Sequence, residues 1–246
     1  MNPELADALI AAAASERLLI ASDFDGTLAP LVGDPMTATP QFGAITAITS
    51  AAALDGVEVV IVSGRSVEVL AELTGAPEGV RLMGIHGAQQ EDEPLPDSVR
   101  TSVVSMTRAL AAVADEFEGT VLEPKPVGAA LHYRNAGDRA GAAEAAIRVG
   151  ERFETRVLKG NDVVELIVGE GHKGTAIAKV RSEFGSDVVV FFGDDITDED
   201  VFEILGPQDV GVKVGPGPAA AAFRVSDPAA VVEAVETIVA ARTLPV

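Results

Sequence analysis

Leu18-Leu19-Ile20-Ala21-Ser22-Asp23-Phe24-Asp25-Gly26-Thr27 runs from an apolar stretch into two carboxylates set either side of one aromatic residue. The apolar run at 18–21 is short and unbroken, as expected of a parallel strand covered on both faces. The acidic turn then sits at that strand's carboxyl end, where open parallel sheets gather their ligands. An Ala-rich helix is expected before it, over 3–16. After it, Thr39-Pro40 reads as a helix start with Pro at the first helical position, running through Ile45 and Ile48 to Leu54. Residues 57–62 form a second buried strand ending in Ser63-Gly64-Arg65, followed by a helix near 67–73 and a third strand near 80–85 ending at His86-Gly87. Strand, helix, strand, helix, strand is a parallel α/β pattern.

The rhythm breaks at 89–96, polar and acidic with two prolines, which reads as a linker. Helix-like segments at 98–118 and 138–152, strand-like ones at 121–123 and 131–133, and a hairpin around Lys159-Gly160-Asn161-Asp162 make an α+β insertion. From 171 the first pattern resumes. It gives a helix over 173–184, a strand over 188–192, the acidic run Gly193-Asp194-Asp195-Ile196-Thr197-Asp198-Glu199-Asp200, a helix, a strand over 210–214 and a last helix over 228–241. The expected architecture is an α/β core from residues 1–87 and 171–246, a parallel sheet flanked by helices, with an inserted α+β domain over 88–170.

Composition narrows the chemistry. The chain has 246 residues, enough for a substantial core, and 38 acidic residues against 18 basic ones give a formal charge of -20. That argues against nucleic-acid and anionic-membrane partners. With no Cys and three His, thiolate nucleophiles, Cys-bound metals and His-rich sites fall away. No apolar run is long enough to span a bilayer, and the first basic residue, Arg17, follows Glu4 and Asp7, unlike the basic start of a secretory signal. A cytoplasmic protein with no obligate protein partner is expected.

Three strand ends, Asp23-Phe24-Asp25, Ser63-Gly64-Arg65 and Gly193-Asp194-Asp195, should converge. Carboxylates so crowded need a cation, and oxygen donors without His or Cys suit magnesium. Asp23 can then attack phosphorus directly, while Asp25 protonates the leaving oxygen and later deprotonates the attacking water. Lys173 supplies a point charge and Ser63 a neutral donor, with backbone N–H groups at a helix start beside it.

Asp23-Phe24-Asp25-Gly26-Thr27-Leu28, Ser63-Gly64-Arg65, His172-Lys173-Gly174 and Gly193-Asp194-Asp195 resemble, in order, the four motifs of the haloacid dehalogenase-like superfamily. That resemblance implies a Rossmann-like core, and an insertion between the second and third motifs resembles the cap of its sugar phosphatases. More narrowly, Asp23 to Pro30, Lys125-Pro126, His132-Tyr133-Arg134, Glu165 and Gly193 to Asp200 are similar to trehalose-6-phosphate phosphatases. The similarity implies a trehalose 6-phosphate hydrolase. Asp23 would be its nucleophile and Asp25 its acid/base. Magnesium would be held by Asp23, the Asp25 carbonyl and Asp194, with Asp195 and Asp198 in support. Gly64 and Arg65 would lie against the substrate, and Lys125, His132, Arg134 and Glu165 would hold the disaccharide. Phe24, where the family often has Tyr, should pack inward, and Gly128-Ala129-Ala130 is smaller than is common.

Simpler readings stand beside these. Arg65 reads equally as a substrate contact or a salt-bridge partner. Taken alone, Lys125, His132, Arg134 and Glu165 read as cross-strand pairs on an exposed sheet face. Asp198, Glu199 and Asp200 also suit a helix N-terminus. The competing functions are a phosphatase for another phosphosugar, such as a sucrose, mannosylglycerate or hexose phosphate, and a non-catalytic sugar-phosphate-binding module. Charge is uneven: residues 123–173 hold eight basic and eight acidic residues, so the remaining 10 basic and 30 acidic residues carry the whole -20. A small anion can approach the locally neutral stretch.

Overall fold

β1, Leu18–Ser22, has all five residues buried, and every other strand of its sheet is arranged around it. The structure is a computed structural model that describes residues 1–90, 97–169 and 172–243. The chain divides into two compact units, Met1–Glu93 with Gly171–Val246, and Pro94–Glu170.

In the first unit, α1 (Pro3–Ala13) leads into β1, and α2 (Ala44–Ala52), β2 (Val57–Val62), α3 (Val67–Thr74), β3 (Val80–Gly84) and β4 (Gln89–Gln90) follow. The second unit contributes α4 (Asp97–Glu116), β5 (Val121–Lys125), β6 (Gly128–His132), α5 (Arg139–Arg152), β7 (Arg156–Gly160) and β8 (Val163–Ile167). The first unit then resumes with α6 (Lys173–Phe184), β9 (Val188–Gly193), α7 (Glu199–Phe202), β10 (Val210–Val214), β11 (Phe223–Val225) and α8 (Pro228–Thr243). Its sheet runs β11-β10-β9-β1-β2-β3-β4, parallel throughout except for the edge strand β4. This is the α/β class expected.

Successive strand residues point to opposite faces, and here both faces are covered, so the strands are apolar without alternation. Leu18 and Ile20 join Leu5 and Leu9 of α1, Ile48 of α2, Leu70 of α3 and Ile238 of α8 in one core. Leu19 and Ala21 face the other way, toward Ile177 and Val180 of α6 and Phe202 of α7. Each fully buried Leu or Ile contributes about 1.5–3 kcal/mol. The two cores lock β1 in the centre, and Ser22 pairs with Ile61 on one side and Phe192 on the other.

Two elements begin elsewhere than expected. The second helix starts at Ala44, capped by Gly43 at φ 85°, and Pro40 is not its first residue. The Gln41 N–H is held by the Leu28 carbonyl at 2.8 Å, which keeps that stretch extended against the loop after β1. Gln89 and Gln90 pair antiparallel with Gly84 and Met83, so the stretch read as a linker opens as an edge strand, beyond residue 87. Ile85, His86 and Gly87 turn the chain back through φ values of 57°, 54° and 95°. The rest of that stretch, 91–96, and the second junction at 170–171 lie outside the described residues.

The second unit is a four-stranded antiparallel sheet, order β5-β6-β8-β7. One face packs Leu131, Val164 and Leu166 against Met106 and Leu110 of α4 and Ala146 of α5. Alternation then puts Glu123, Lys125, His132 and Glu165 together on the opposite face. Among the described residues no helix is long and apolar enough to cross a membrane.

Candidate active site

The Asp23 N–H donates to the Phe192 carbonyl at 2.9 Å, extending the β1–β9 ladder one residue into the acidic loop. The register that fixes β1 in the core therefore also fixes the first carboxylate. Asp23 is 4% exposed, and its Oδ1 lies 3.0 Å from Lys173 Nζ. The same ammonium donates to Asp198 Oδ1 at 2.8 Å and lies 4.0 Å from Asp195 Oδ1. Lys173 is the first residue of α6, capped by His172. His172 Nδ1 accepts from the Thr175 N–H while Thr175 Oγ1 accepts from the His172 N–H. Gly174 follows because a Cβ there would stand 2.2 Å from the Asp200 carbonyl oxygen. His-Lys-Gly thus reads as cap, charge and close approach.

Asp198 Oδ2 accepts the N–H groups of Asp194 and Asp195 at 2.8 and 3.0 Å, and Asp195 Oδ1 accepts from the N–H and hydroxyl of Thr197. Asp23, Asp195 and Asp198 each bring one carboxylate oxygen within 4.8 Å of the others. Asp194 stands apart from that trio, beside Gly26 and 3.5 Å from Thr27 Oγ1. A Cβ on Gly26, at φ 79°, would fall 2.1 Å from Asp194 Oδ2.

Burial pushes the Asp23 carboxyl well up, Lys173 opposes, and Asp198, Asp195 and Asp194 push it further. Burial would lower Lys173, but the Asp23, Asp198 and Asp195 carboxylates carry it above the ordinary lysine value, so the ammonium is charged. Asp194 is pushed up to about 6 by burial and by Asp195 and Asp198, against Lys173 and Lys213. Burial likewise raises Asp198, with Lys173 opposing. Asp195 moves down, because Lys173 and the Thr197 hydrogen bonds outweigh its burial. Four carboxylates thus face two ammonium groups, and every donor is oxygen. A hard dication fits that set and would offset the surplus charge.

Asp25 is engaged differently. Arg65 Nε donates to its Oδ2 at 2.6 Å and Arg65 Nη2 to its Oδ1 at 2.7 Å. Ser63, 1% exposed, accepts the Arg65 N–H on its Oγ at 3.2 Å. Gly64 lies under the His86 ring, where a Cβ would come within 2.9 Å. Phe24 is fully buried, as expected, and Arg65 lies 5.7 Å from its ring centre.

In the second unit, Lys125 Nζ meets Glu165 Oε2 at 2.9 Å, and His132 Nε2 meets Glu123 Oε2 at 2.8 Å. Arg134 Nε lies 3.6 Å from Asp162 Oδ2, just past the end of β6. The small residues Gly128 and Ala130 let Lys125 and Glu165 reach each other across β6.

Residues 21–229 match the family model described as trehalose-phosphatase. The chain belongs to the trehalose-phosphatase family. A trehalose-phosphate phosphatase of Mycobacterium marinum is 34% identical over 255 residues, covering 94% of this chain and 65% of that protein. One from Mycobacterium avium is 36% identical over 239 residues, covering 88% and 60%. This trehalose-phosphatase family member therefore spans less than two thirds of the length of those relatives. The crystal structure of Aspergillus fumigatus trehalose-6-phosphate phosphatase is 26% identical with a TM-score of 0.75, covering 96% of this chain and 97% of that one.

Two features of this family member's site were not anticipated from its sequence. Lys213 is 4% exposed and its Nζ donates to the Asp194 carbonyl; a lone charge in the apolar strand Val210–Val214 was the available signal. Thr197 holds Asp195 through two bonds, and an Asp-x-Thr turn carries that signal only weakly.

Proposed function

We propose that the chain hydrolyses trehalose 6-phosphate to trehalose and inorganic phosphate through an aspartyl-phosphate. The observation that carries the reading is Asp23, buried at the end of the central strand and 3.0 Å from Lys173, in a chain of the trehalose-phosphatase family. Asp23 Oδ attacks phosphorus as the bond to the sugar oxygen breaks, and Asp25 delivers a proton to that oxygen. Asp25 then takes a proton from water, which cleaves the acyl-phosphate and returns Asp23. Lys173 holds charge beside the nucleophile, and the Ser63 hydroxyl, whose oxygen already accepts a backbone N–H, keeps its own proton for a phosphoryl oxygen.

The crowded carboxylates suit magnesium: by the family resemblance Asp23, the Asp25 carbonyl and Asp194 would hold it, while Asp195 and Asp198, which converge with Asp23, would fix the loop. When bound, the cation supplies positive charge that lets carboxylates and a phosphate dianion share one site. Lys125, His132, Arg134 and Glu165 offer donors and acceptors matched to the hydroxyls of a non-ionic disaccharide.

Phosphate release from a panel of phosphosugars, with and without EDTA, tests this. Trehalose 6-phosphate should be turned over fastest, and only with magnesium. Equal turnover of glucose 6-phosphate would reject the specific substrate. Phosphate release that survives Asp23→Asn would leave the sugar-phosphate-binding module standing.

A further inference from the structure

Arg65 belongs to a motif that implies contact with substrate, yet two of its three guanidinium nitrogens, Nε and Nη2, are already bonded to Asp25. Both bonds to Asp25 are short and end on different carboxylate oxygens, and the Arg65 side chain is only 10% exposed. The guanidinium carbon lies over the Phe24 ring, 5.7 Å from its centre. Its backbone is tied on both sides, the N–H to Ser63 Oγ and the carbonyl to the Ile85 N–H at 2.7 Å. We propose that Arg65 is a positioning residue that aims Asp25, acting through that carboxylate and not on the phosphosugar. The proposal rests on Asp25 being the acid/base group.

The geometry favours this role for three reasons. A bidentate fork fixes the carboxylate plane as well as its position, which a single donor cannot do. The pair joins the loop after β1 to the loop after β2, so the acid/base group is registered against Ser63 as well as against its neighbour Asp23. A buried, neutralised guanidinium has little charge left to attract a second anion. To take up and hand over a proton, Asp25 frees one oxygen from Arg65, and the remaining bond keeps the carboxyl tethered beside Ser63 until the fork closes again.

The test separates binding from turnover. Affinity for trehalose 6-phosphate is measured by calorimetry with magnesium in the Asp23→Asn background, and kcat in the otherwise native chain. Arg65→Gln should lower kcat by about tenfold or more while the affinity stays within about twofold. Arg65→Lys, which keeps the charge and one donor, should fall between, with an unchanged melting temperature. In the Asp25→Asn background, Arg65→Gln should slow turnover no further, because its effect runs through Asp25. A tenfold loss of affinity with kcat preserved would make Arg65 a substrate contact and overturn the proposal. So would an effect that multiplies with that of Asp25→Asn. If Asp25→Asn alone turned over at the native rate, the acid/base reading beneath the proposal would fall and take the proposal with it.

Discussion

Lys173 Nζ lies 2.8 Å from Asp198 Oδ1, and the two side chains are 1% and 0% exposed. Asp198 is thereby the hinge of the site: one oxygen holds the ammonium and the other gathers the Asp194 and Asp195 N–H groups. Without Asp198, Lys173 would keep Asp23, but the Asp194 and Asp195 N–H groups would lose their acceptor. Asp198→Ala should cost about 1–3 kcal/mol in urea unfolding with EDTA present. A loss below about 1 kcal/mol would mean that the buried pair adds little.

Gly26 guards the other side of Asp194. Its φ of 79° and the 2.1 Å approach of a built Cβ to Asp194 Oδ2 leave no room for a side chain. Gly26→Ala should displace Asp194, weakening magnesium affinity by about tenfold or more at a stability cost of about 1–3 kcal/mol. Magnesium titration of the folded variant checks this, and unchanged affinity would remove Asp194 from the proposed ligand set.

Asp194 also sets an expected pH dependence. Its carboxyl is pushed from 3.8 up to about 6, so without metal it favours the folded state fully below pH 3.8, and that contribution is lost as pH rises through about 6. A cation binds the ionised form and has to displace the proton below that range. Magnesium should therefore raise the melting temperature more at about pH 7.5 than at about pH 5. Equal shifts at both pH values would count against a titrating ligand there.

The strand ends were legible in the sequence because doubly covered strands are continuous apolar runs and their last residues carry unusual chemistry. Asp23, Ser63 and Asp194 all follow such runs. What could not be read depends on backbone pairing or on distance in sequence. Gln89–Gln90 joins the sheet through main-chain bonds that its two polar side chains do not announce, and Phe223–Val225 is a three-residue edge with one buried residue. Pro40 suits a helix start, yet the Leu28 carbonyl captures the Gln41 N–H and α2 begins only at Ala44. Arg65 and Asp25 are 40 residues apart, and only the β1–β2 pairing brings their loops together. Within the site, the roles of Asp194, Asp195 and Asp198 differ by hydrogen bonds that composition cannot distinguish.

Away from the site, Arg242 near the end of α8 donates to the carbonyls of Ala13, Ser15, Glu16 and Asp55. One side chain thus satisfies the end of α1 and the turn before β2. Gly56, at φ 72°, is required beside it, since a Cβ would stand 2.3 Å from the Glu16 carbonyl oxygen. Arg242→Ala should cost about 1–3 kcal/mol in urea unfolding while kcat at ambient temperature is unchanged. A variant as stable as the parent would show that water replaces those bonds without loss.

Lys125 and Glu165 admit two readings that one variant separates. Their 2.9 Å contact crosses β6 over Gly128 and Ala130, and both side chains keep partial exposure, at 32% and 21%. As a cross-strand ion pair alone, it is worth about 0–1 kcal/mol, and its loss would touch stability and nothing else. As a sugar contact, Glu165 accepts hydroxyl hydrogens and Lys125 donates to hydroxyl oxygens, so the pair is ordered by its own attraction before substrate arrives. Glu165→Gln keeps the shape and one acceptor but loses the charge. It should raise KM for trehalose 6-phosphate by about tenfold, with kcat changed less and stability altered by under about 1 kcal/mol. A KM within about twofold of the parent would leave only the ion pair, and the exposed face of this sheet would then need another explanation for carrying Glu123, Lys125, His132 and Glu165 together.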